Sequence, residues 1–365
     1  MKKNKLIKIL KNREKDDFYI IGETAYNHEG DLNYLYKMIN DISELKLDAV
    51  KFHLLLNPGS YMQKKHPLMS ETKKWIFSKN EWEKIIDYST KKGLEVIALC
   101  DDIESIEFIL KNKLEIVGIE LHMSCLNDYF MIKKLDAFKG IIILGIGGST
   151  IEEIEYALDL FRSQNQKNIL LMYGFQAFPT KYKDVNLRKM LKIKEMFGVN
   201  IGYADHTLFN DEYNELISVM GYILGAKVLE KHYTPSYGIK RTDFQASVGR
   251  DQMLKIKNYL GIIRKVLGKG RLTMSKPEKE YGQTGPMKKA IVARKKIKKG
   301  HKLQLQDLWY KRTKEKTYLK QNQIWDLIEC EAVKDIMEDE IVDFHKVKYI
   351  SRQEKSAKQF TCLKK

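Results

Sequence analysis

Eight short apolar runs, each followed by a segment with helical periodicity, dominate residues 18–231 of this chain. The runs are rich in Ile and Val, as is typical of strands buried on both faces. They cover residues 18–23, 48–53, 94–100, 115–121, 140–147, 168–174, 199–205 and 226–231. Strands alternating with helices over about 250 residues predict a (β/α)8 TIM barrel. An open doubly wound sheet is the alternative, but the first run lacks the GxGxxG turn that such a sheet usually carries.

Amphipathic helices are predicted between the runs, for example over residues 32–45, 80–92, 150–163, 185–197 and 211–224. Ser149 precedes two glutamates at the start of the third of these, so we expect it to be the N-cap. The glycines of the segment GIGGS (145–149) have two explanations. They permit a sterically tight strand-to-helix turn, or their backbone N–H groups hold a phosphate.

The pattern changes after Leu267. Residues 268–286 are rich in Gly, Pro and Lys and predict a linker, and residues 287–352 predict a second, small domain that is mostly β. We therefore expect a basic N-terminal segment over 1–16, the barrel over 17–267, and a basic tail over 353–365.

The net charge of +17 is concentrated toward the C-terminus, where residues 286–365 carry 21 Lys and Arg against 11 Asp and Glu. Solvated lysine-rich faces or a site for an anionic metabolite explain this charge. No nucleic-acid-binding motif accompanies it, so no nucleic-acid partner is expected.

The four cysteines are widely spaced and form no CxxC pair, which suits a reducing compartment. No apolar stretch is long enough for a membrane span, and the N-terminal one is too short for a signal peptide. These features predict a cytoplasmic protein that does not enter a membrane.

Polar side chains collect where the predicted strands end. Because the working residues of TIM barrels lie at the C-terminal ends of the strands, these side chains are candidates for an active site. They are Glu23, Asn27, Lys51, His53, His122, Gln176, Asp205, His206, Lys231 and His232.

Two of these residues, His206 and His232, end neighbouring strands although they are 26 residues apart. Two imidazoles completed by water and substrate oxygens suit Mn²⁺, Mg²⁺ or Zn²⁺ acting as a Lewis acid. Packing in the core or hydrogen bonding to a substrate is the alternative for both histidines.

The segments IIGETAYNHEGDLNYLYKMIN, DAVKFH, FPTKYKDVNLRKM, GYADHT, GAKVLEKHYT and DFQAS resemble the N-acetylneuraminate (sialic acid) synthase family. The family includes the pseudaminic and legionaminic acid synthases. The segment ARKKIKKGHKLQLQDLWYKR is similar to the antifreeze-like (SAF) domain that these synthases carry after the barrel. The resemblance spans residues 17–350.

The resemblance implies the condensation of phosphoenolpyruvate with an N-acetylmannosamine-type amino sugar, with release of phosphate. It implies a divalent ion, Mn²⁺ first and Mg²⁺ second, held by His206 and His232. Glu23 and Asp243 match the catalytic carboxylates. The substrate-binding set that we expect with them is Asn27, Lys51, Gln176, Lys231 and Arg312. Arg312 matches an arginine that serves a partner's barrel, which implies a domain-swapped homodimer.

The chain departs from the family pattern at groups that hold phosphoenolpyruvate. A TPFD-like motif is replaced by LCDD (99–102), and Glu120 stands where a phosphate-binding lysine belongs. A glutamate beside a phosphate would repel it. Either the alignment differs there, or another cation such as Lys231, Lys240 or Arg241 holds the phosphate, or the chain does not bind it. A diverged barrel with a different donor or lyase chemistry, or a non-catalytic sugar-binding protein, is therefore the alternative function.

Overall fold

The computed structural model of the chain describes residues 4–11, 18–164, 166–177, 180–284 and 287–349. The chain forms two compact units, Met1–Lys269 and Gly270–Lys365. The basic tail expected over 353–365 lies outside the described residues.

Eight parallel strands of the first unit close into a barrel in the order β1 to β8, with β8 paired to β1. This confirms the predicted TIM barrel and excludes an open sheet, because a closed barrel has no edge strand. The strands are β1 (Tyr19–Glu23), β2 (Ala49–Leu54), β3 (Glu95–Cys100), β4 (Gly118–Leu121), β5 (Ile141–Gly145), β6 (Ile169–Tyr173), β7 (Asn200–Asp205) and β8 (Val228–His232).

The first helix precedes the first strand, and the other helices of the first unit follow strands. The longer ones pack an apolar face against the barrel, as the buried Leu35, Met38, Ile39 and Ile42 of the second helix illustrate. They are α1 (Lys5–Lys11), α2 (Leu32–Glu44), α3 (Pro58–Tyr61), α4 (Met69–Trp75), α5 (Lys79–Lys91), α6 (Ile103–Asn112), α7 (Tyr129–Lys134), α8 (Ile151–Ser163), α9 (Tyr182–Val185), α10 (Leu187–Phe197), α11 (Asn214–Ile223) and α12 (Arg250–Leu267).

The N-cap of α8 is Thr150, so the prediction of Ser149 was wrong by one residue. The Thr150 hydroxyl accepts a hydrogen bond from the Glu153 N–H at 3.2 Å, and the Glu153 carboxylate accepts one from the Thr150 N–H at 2.7 Å. This capping box satisfies two backbone donors at once, which decides the start of the helix. Just before it, a Cβ on Gly147 would overlap the carbonyl oxygen of Gly174, so the tight turn requires a glycine there.

Helix α1 lies in the first unit, within the segment expected to be only a basic N-terminal extension. Its Leu6, Ile9 and Leu10 are buried and belong to one apolar cluster with Tyr19 and Ile21, at the beginning of β1. The N-terminal ends of the strands are therefore covered by the chain's own first helix.

The second unit contains two small antiparallel sheets, one of β9 with β10 and one of β11 with β12. Their core is apolar, with Ile291, Leu303 and Leu327 fully buried. No described helix of the chain is both long and apolar enough to span a membrane. The elements are α13 (Lys276–Lys279), β9 (Lys289–Ala293), β10 (Leu308–Arg312), α14 (Ile324–Leu327), β11 (Glu331–Ala332) and β12 (Val347–Lys348).

Candidate active site at the C-terminal end of the barrel

A buried lysine surrounded by three carboxyl groups occupies the inside of the barrel; we call Lys51 and these three residues the lysine cluster. Lys51 Nζ lies 3.1 Å from Glu23 Oε1, 2.9 Å from Glu120 Oε2 and 2.7 Å from Glu230 Oε1. The Lys51 side chain is only 1% exposed. Closure of the barrel brings these residues together from β1, β2, β4 and β8.

The charges of the lysine cluster compensate one another. Burial alone would lower the pKa of Lys51, but Glu120, Glu23 and Glu230 raise it well above its usual range. Burial would raise the pKa of Glu23, yet Lys51 and His232 hold it well below its usual range. Burial and the neighbouring Glu23 raise the pKa of Glu230 well above its usual range, opposite in direction to that of Glu23.

His53 lies between Glu23 of the lysine cluster and the polar side chains of Asp101 and Tyr26. Its Nε2 lies 3.1 Å from Glu23 Oε1, and its Nδ1 lies 3.7 Å from Asp101 Oδ2. The Tyr26 hydroxyl donates a hydrogen bond to the same Asp101 oxygen at 3.0 Å. Burial would lower the pKa of His53, but Asp101 and Glu23 raise it to about 10.

Glu23, His206 and His232 form a candidate metal cluster, because one ligand atom from each lies within 4.8 Å of the others. His232 Nε2 is 3.0 Å from Glu23 Oε2, and the two imidazole rings meet edge to face with centroids 4.9 Å apart. Burial and His232 lower the pKa of His206 to about 3, so His206 is the neutral imidazole that metal binding requires.

A second feature of the candidate metal cluster also fits a bound ion. Among the residues that the structure describes, the buried Nδ1 atoms of His206 and His232 have no hydrogen-bond partner. Buried polar nitrogens are usually satisfied, so two imidazoles with an unsatisfied nitrogen each are consistent with a site that takes up a further group. Two imidazoles and a carboxylate are a donor set that divalent transition metals accept.

Lys231 is not brought into the site, although it lies between two residues that are. Its Nζ contacts Asp205 Oδ2 at 2.6 Å, and both side chains are fully buried. Asp205 in turn accepts a hydrogen bond from Ser218 of α11. Successive side chains of a strand point to opposite faces, so Glu230 and His232 share one face of β8 and Lys231 takes the other.

A cavity of about 1440 Å³ is lined by loops that follow β1 to β4 and β8, and both Tyr26 and Asp101 contribute to it. Asp243 also lines it, and its carboxylate accepts a hydrogen bond from the Gln176 amide at 3.2 Å. Asn27 is buried, and its amide donates to the Thr242 carbonyl at 2.9 Å. Asn27 thus fixes the loop that carries Asp243.

Three cations were candidates for a phosphate of the donor. Lys231 is buried against Asp205, and Arg241 donates to the Asn27 and His28 carbonyls and lies 3.5 Å from a Glu29 oxygen. Lys240 lines the cavity, is exposed, and has no polar partner among the described residues. Lys240 is therefore the candidate that can meet a ligand directly.

Arg312 lies in the other unit, at the end of β10, where its guanidinium is exposed and contacts the Met287 sulfur at 3.5 Å. Its predicted role toward a partner's barrel stays a prediction.

Two residues of this site were not predicted as site residues, namely Glu230 and Asp101, whereas His53 was among the polar residues expected at the strand ends. The signal for Glu230 was present in the sequence, because a residue two positions before a strand-end histidine faces the same side of the strand. Asp101 had no such signal, since it follows β3 and meets His53 of β2 only in the folded barrel.

A model of the NeuB family matches residues 38–272, well over half of the chain. The chain belongs to the NeuB family. An N,N'-diacetyllegionaminic acid synthase of Campylobacter jejuni is 28% identical over 296 residues, which cover 77% of this chain and 86% of that protein. An N-acetylneuraminate-9-phosphate synthase of Drosophila melanogaster is 24% identical over 366 residues, which cover 91% of this chain and 96% of that protein.

Solved structures agree with the NeuB assignment. An N-acetylneuraminic acid synthetase from Leptospira borgpetersenii has a TM-score of 0.65 and 25% identity, over 72% of this chain and 90% of that one. A putative spore coat polysaccharide biosynthesis protein from Chromobacterium violaceum has a TM-score of 0.78. It covers 91% of this chain and all of that one, and at 18% identity it supports the fold alone. These comparisons confirm the family that the sequence motifs indicated.

Proposed function

We propose that this NeuB-family chain is a cytoplasmic synthase that condenses phosphoenolpyruvate with an N-acetylmannosamine-type amino sugar and releases phosphate. The observation that carries the proposal is the convergence of Glu23, His206 and His232 at the C-terminal end of the barrel. The names of the relatives, which are synthases of sialic-type acids, favour this reaction over the alternatives of lyase chemistry or non-catalytic binding.

In this reaction C3 of the enol attacks the sugar aldehyde, water adds to C2, and the bond from C2 to the phosphate oxygen breaks. Glu23, His206 and His232 would hold Mn²⁺, or Mg²⁺ in its place, and the ion would supply polarisation of the aldehyde oxygen. Glu23 stays ionised because Lys51 and His232 lower its pKa, so its carboxylate can accept hydrogen bonds from a water molecule or a sugar hydroxyl and hold it beside the metal site.

Asp243 would orient the sugar. The Gln176 amide holds its carboxylate at the cavity wall, where a carboxylate oxygen accepts hydrogen bonds from sugar hydroxyls. Lys51 is surrounded by its own carboxyl partners, so we assign it the task of keeping Glu23 charged and in place rather than contacting the donor.

The acceptor is expected to carry no phosphate of its own. Of the two cations that line the cavity, Arg241 is engaged by Glu29, which leaves Lys240 for the donor's single phosphate. Asp102 and Asp128 line the cavity and cap the N-termini of α6 and α7. At these two helix ends a second phosphate would meet carboxylates rather than free N–H groups.

The test is phosphate release from phosphoenolpyruvate with Mn²⁺ and a panel of 2-acetamido and 2,4-diacetamido hexoses, each with and without a 6-phosphate. We expect release with at least one unphosphorylated sugar, loss after EDTA treatment, and little release with any 6-phosphate. Release with none of the sugars would contradict the proposed reaction. Preference for a 6-phosphate would contradict only the acceptor assignment.

The second unit is proposed to be an antifreeze-like domain whose Arg312 serves a second copy of the chain. An Arg312→Ala chain and a Glu23→Gln chain, each nearly inactive alone, are mixed so that subunits exchange. If Arg312 acts on the partner's barrel, a mixed dimer contains one intact site and activity partly returns. No recovery in proven heterodimers would contradict the swapped arrangement.

A further inference from the structure

We infer that His53 is a positioning residue for the candidate metal cluster: it holds Glu23 so that the second oxygen of this carboxylate faces His206 and His232. The inference rests on the metal site of the proposed function. It assigns a task to a residue that contacts neither of the two histidines in the described structure.

The two oxygens of Glu23 face different neighbours. Oε1 lies 3.1 Å from His53 Nε2 and 3.1 Å from Lys51 Nζ, whereas Oε2 lies 3.0 Å from His232 Nε2. A carboxylate oxygen only accepts hydrogen bonds, so His53 Nε2 is the donor to Oε1. Because His53 holds Oε1, Oε2 is the oxygen of Glu23 that is directed toward the two histidines of the candidate metal cluster.

Lys51 alone cannot fix this orientation. Its ammonium is a rotatable donor shared among Glu23, Glu120 and Glu230, at 2.7–3.1 Å from each. The imidazole of His53 is planar and directs one N–H toward one oxygen. Hydrogen bonds to a ligating carboxylate from such outer residues typically change metal affinity by about 10- to 100-fold.

His53 is itself held in place from the other side. Asp101 Oδ2 lies 3.7 Å from Nδ1, and the Tyr26 hydroxyl donates to this oxygen at 3.0 Å. The Tyr26 ring also packs against the imidazole, with ring centroids 4.9 Å apart. The series Tyr26, Asp101, His53, Glu23 therefore runs from the wall of the cavity to the candidate metal cluster.

The experiment measures Mn²⁺ affinity by titration calorimetry on the full chain stripped with EDTA, so that it does not depend on turnover. His53→Ala removes the donor and should weaken binding about 10- to 100-fold. His53→Gln retains one N–H donor on a side chain of similar reach and should bind within a few-fold of wild type. His345→Ala, an exposed histidine of the other unit, is the matched control and should bind like wild type.

Circular dichroism and thermal unfolding report whether each variant is folded. If His53→Ala unfolds, the comparison passes to Asp101→Asn, which keeps the shape of the carboxylate and should weaken binding by a smaller factor. Tyr26→Phe, one step farther from Glu23, should weaken it least. This order along the series supports a positioning role, because general destabilisation would follow the melting temperatures instead.

The outcomes separate two failures. If wild type and His53→Ala bind Mn²⁺ equally well, the positioning role is overturned while the metal site stands. If His53→Gln binds as poorly as a folded His53→Ala, the retained N–H has no effect and the role is overturned as well. If wild type binds no Mn²⁺ at all, the metal site and this inference are both overturned.

Discussion

The two ends of the barrel are built from different kinds of residue. At the N-terminal end of the strands, Leu6 of α1 packs with Tyr19 and Ile21 in an apolar cluster. At the C-terminal end, the same β1 strand delivers Glu23 to the lysine cluster. Four steps of about 3.3 Å lead from Tyr19 to Glu23, so the apolar cluster and the lysine cluster lie only about 13 Å apart on one strand.

The difference shows how a barrel separates stability from chemistry, with one instructive exception. Each apolar side chain buried at the N-terminal end stabilises the fold without needing a partner of opposite charge. The ions at the C-terminal end stabilise it only as a complete set, because an unpaired buried charge is costly. Lys51 lies at the C-terminal end of the barrel and is fully buried, so we expect it to contribute both to the stability of the fold and to the chemistry of the site.

The largest effect on stability is expected for Lys51→Met. This variant leaves Glu23 and Glu120 buried without the ammonium between them, which should lower the free energy of unfolding by about 3–5 kcal/mol. Urea unfolding at pH 7 measures it. Adding Glu120→Gln removes one of the uncompensated carboxylates and should restore part of the loss. An unchanged free energy of unfolding in Lys51→Met would show that the lysine cluster does not contribute to the stability of the fold.

Leu6→Ala should come second. Leu6 is fully buried in the cluster at the N-terminal end, so truncation removes apolar contact and leaves a cavity. We expect a loss of about 2–3 kcal/mol in the free energy of unfolding. Mn²⁺ affinity and turnover of the folded variant should equal those of wild type. A change in Mn²⁺ affinity would mean that the two ends are coupled along the strands.

Thr150→Ala tests a residue that follows β5 at the chemical end but has no part in the chemistry. It removes the side-chain half of the α8 capping box and should cost about 1 kcal/mol. Thr150→Ser keeps the hydroxyl and is the control, with stability close to wild type. Impaired phosphate release in a folded Thr150→Ala chain would contradict this separation.

The smallest effect on stability is expected for His206→Ala. His206 is half-buried, and its Nδ1 has no partner in the described part of the chain, so its removal should lower the free energy of unfolding by less than about 1 kcal/mol. Bound Mn²⁺, measured by elemental analysis after dialysis, should nevertheless be lost. Full metal content in this variant would remove His206 from the metal site.

The sequence by itself determined the barrel and the ends of its strands. Apolar runs that alternate with amphipathic segments require strands covered by helices, and each predicted strand lies within a few residues of an observed one. It also determined that Glu23, His206 and His232 end strands, and hence that they share one end of the barrel. The sequence motifs alone were sufficient to identify the family to which the chain belongs.

Only the tertiary structure decided which charges meet. Lys51 finds Glu23, Glu120 and Glu230 because closure of the barrel places β1, β2, β4 and β8 around one interior. Neighbours of this kind depend on registers between strands, which a one-dimensional pattern does not contain. The alternation of side chains along β8 explains why Lys231 points away from the site. That its partner is Asp205 depends on the pairing of β7 with β8. Helix α1 was missed because a short basic segment acquires its structure only from the apolar barrel end that it covers.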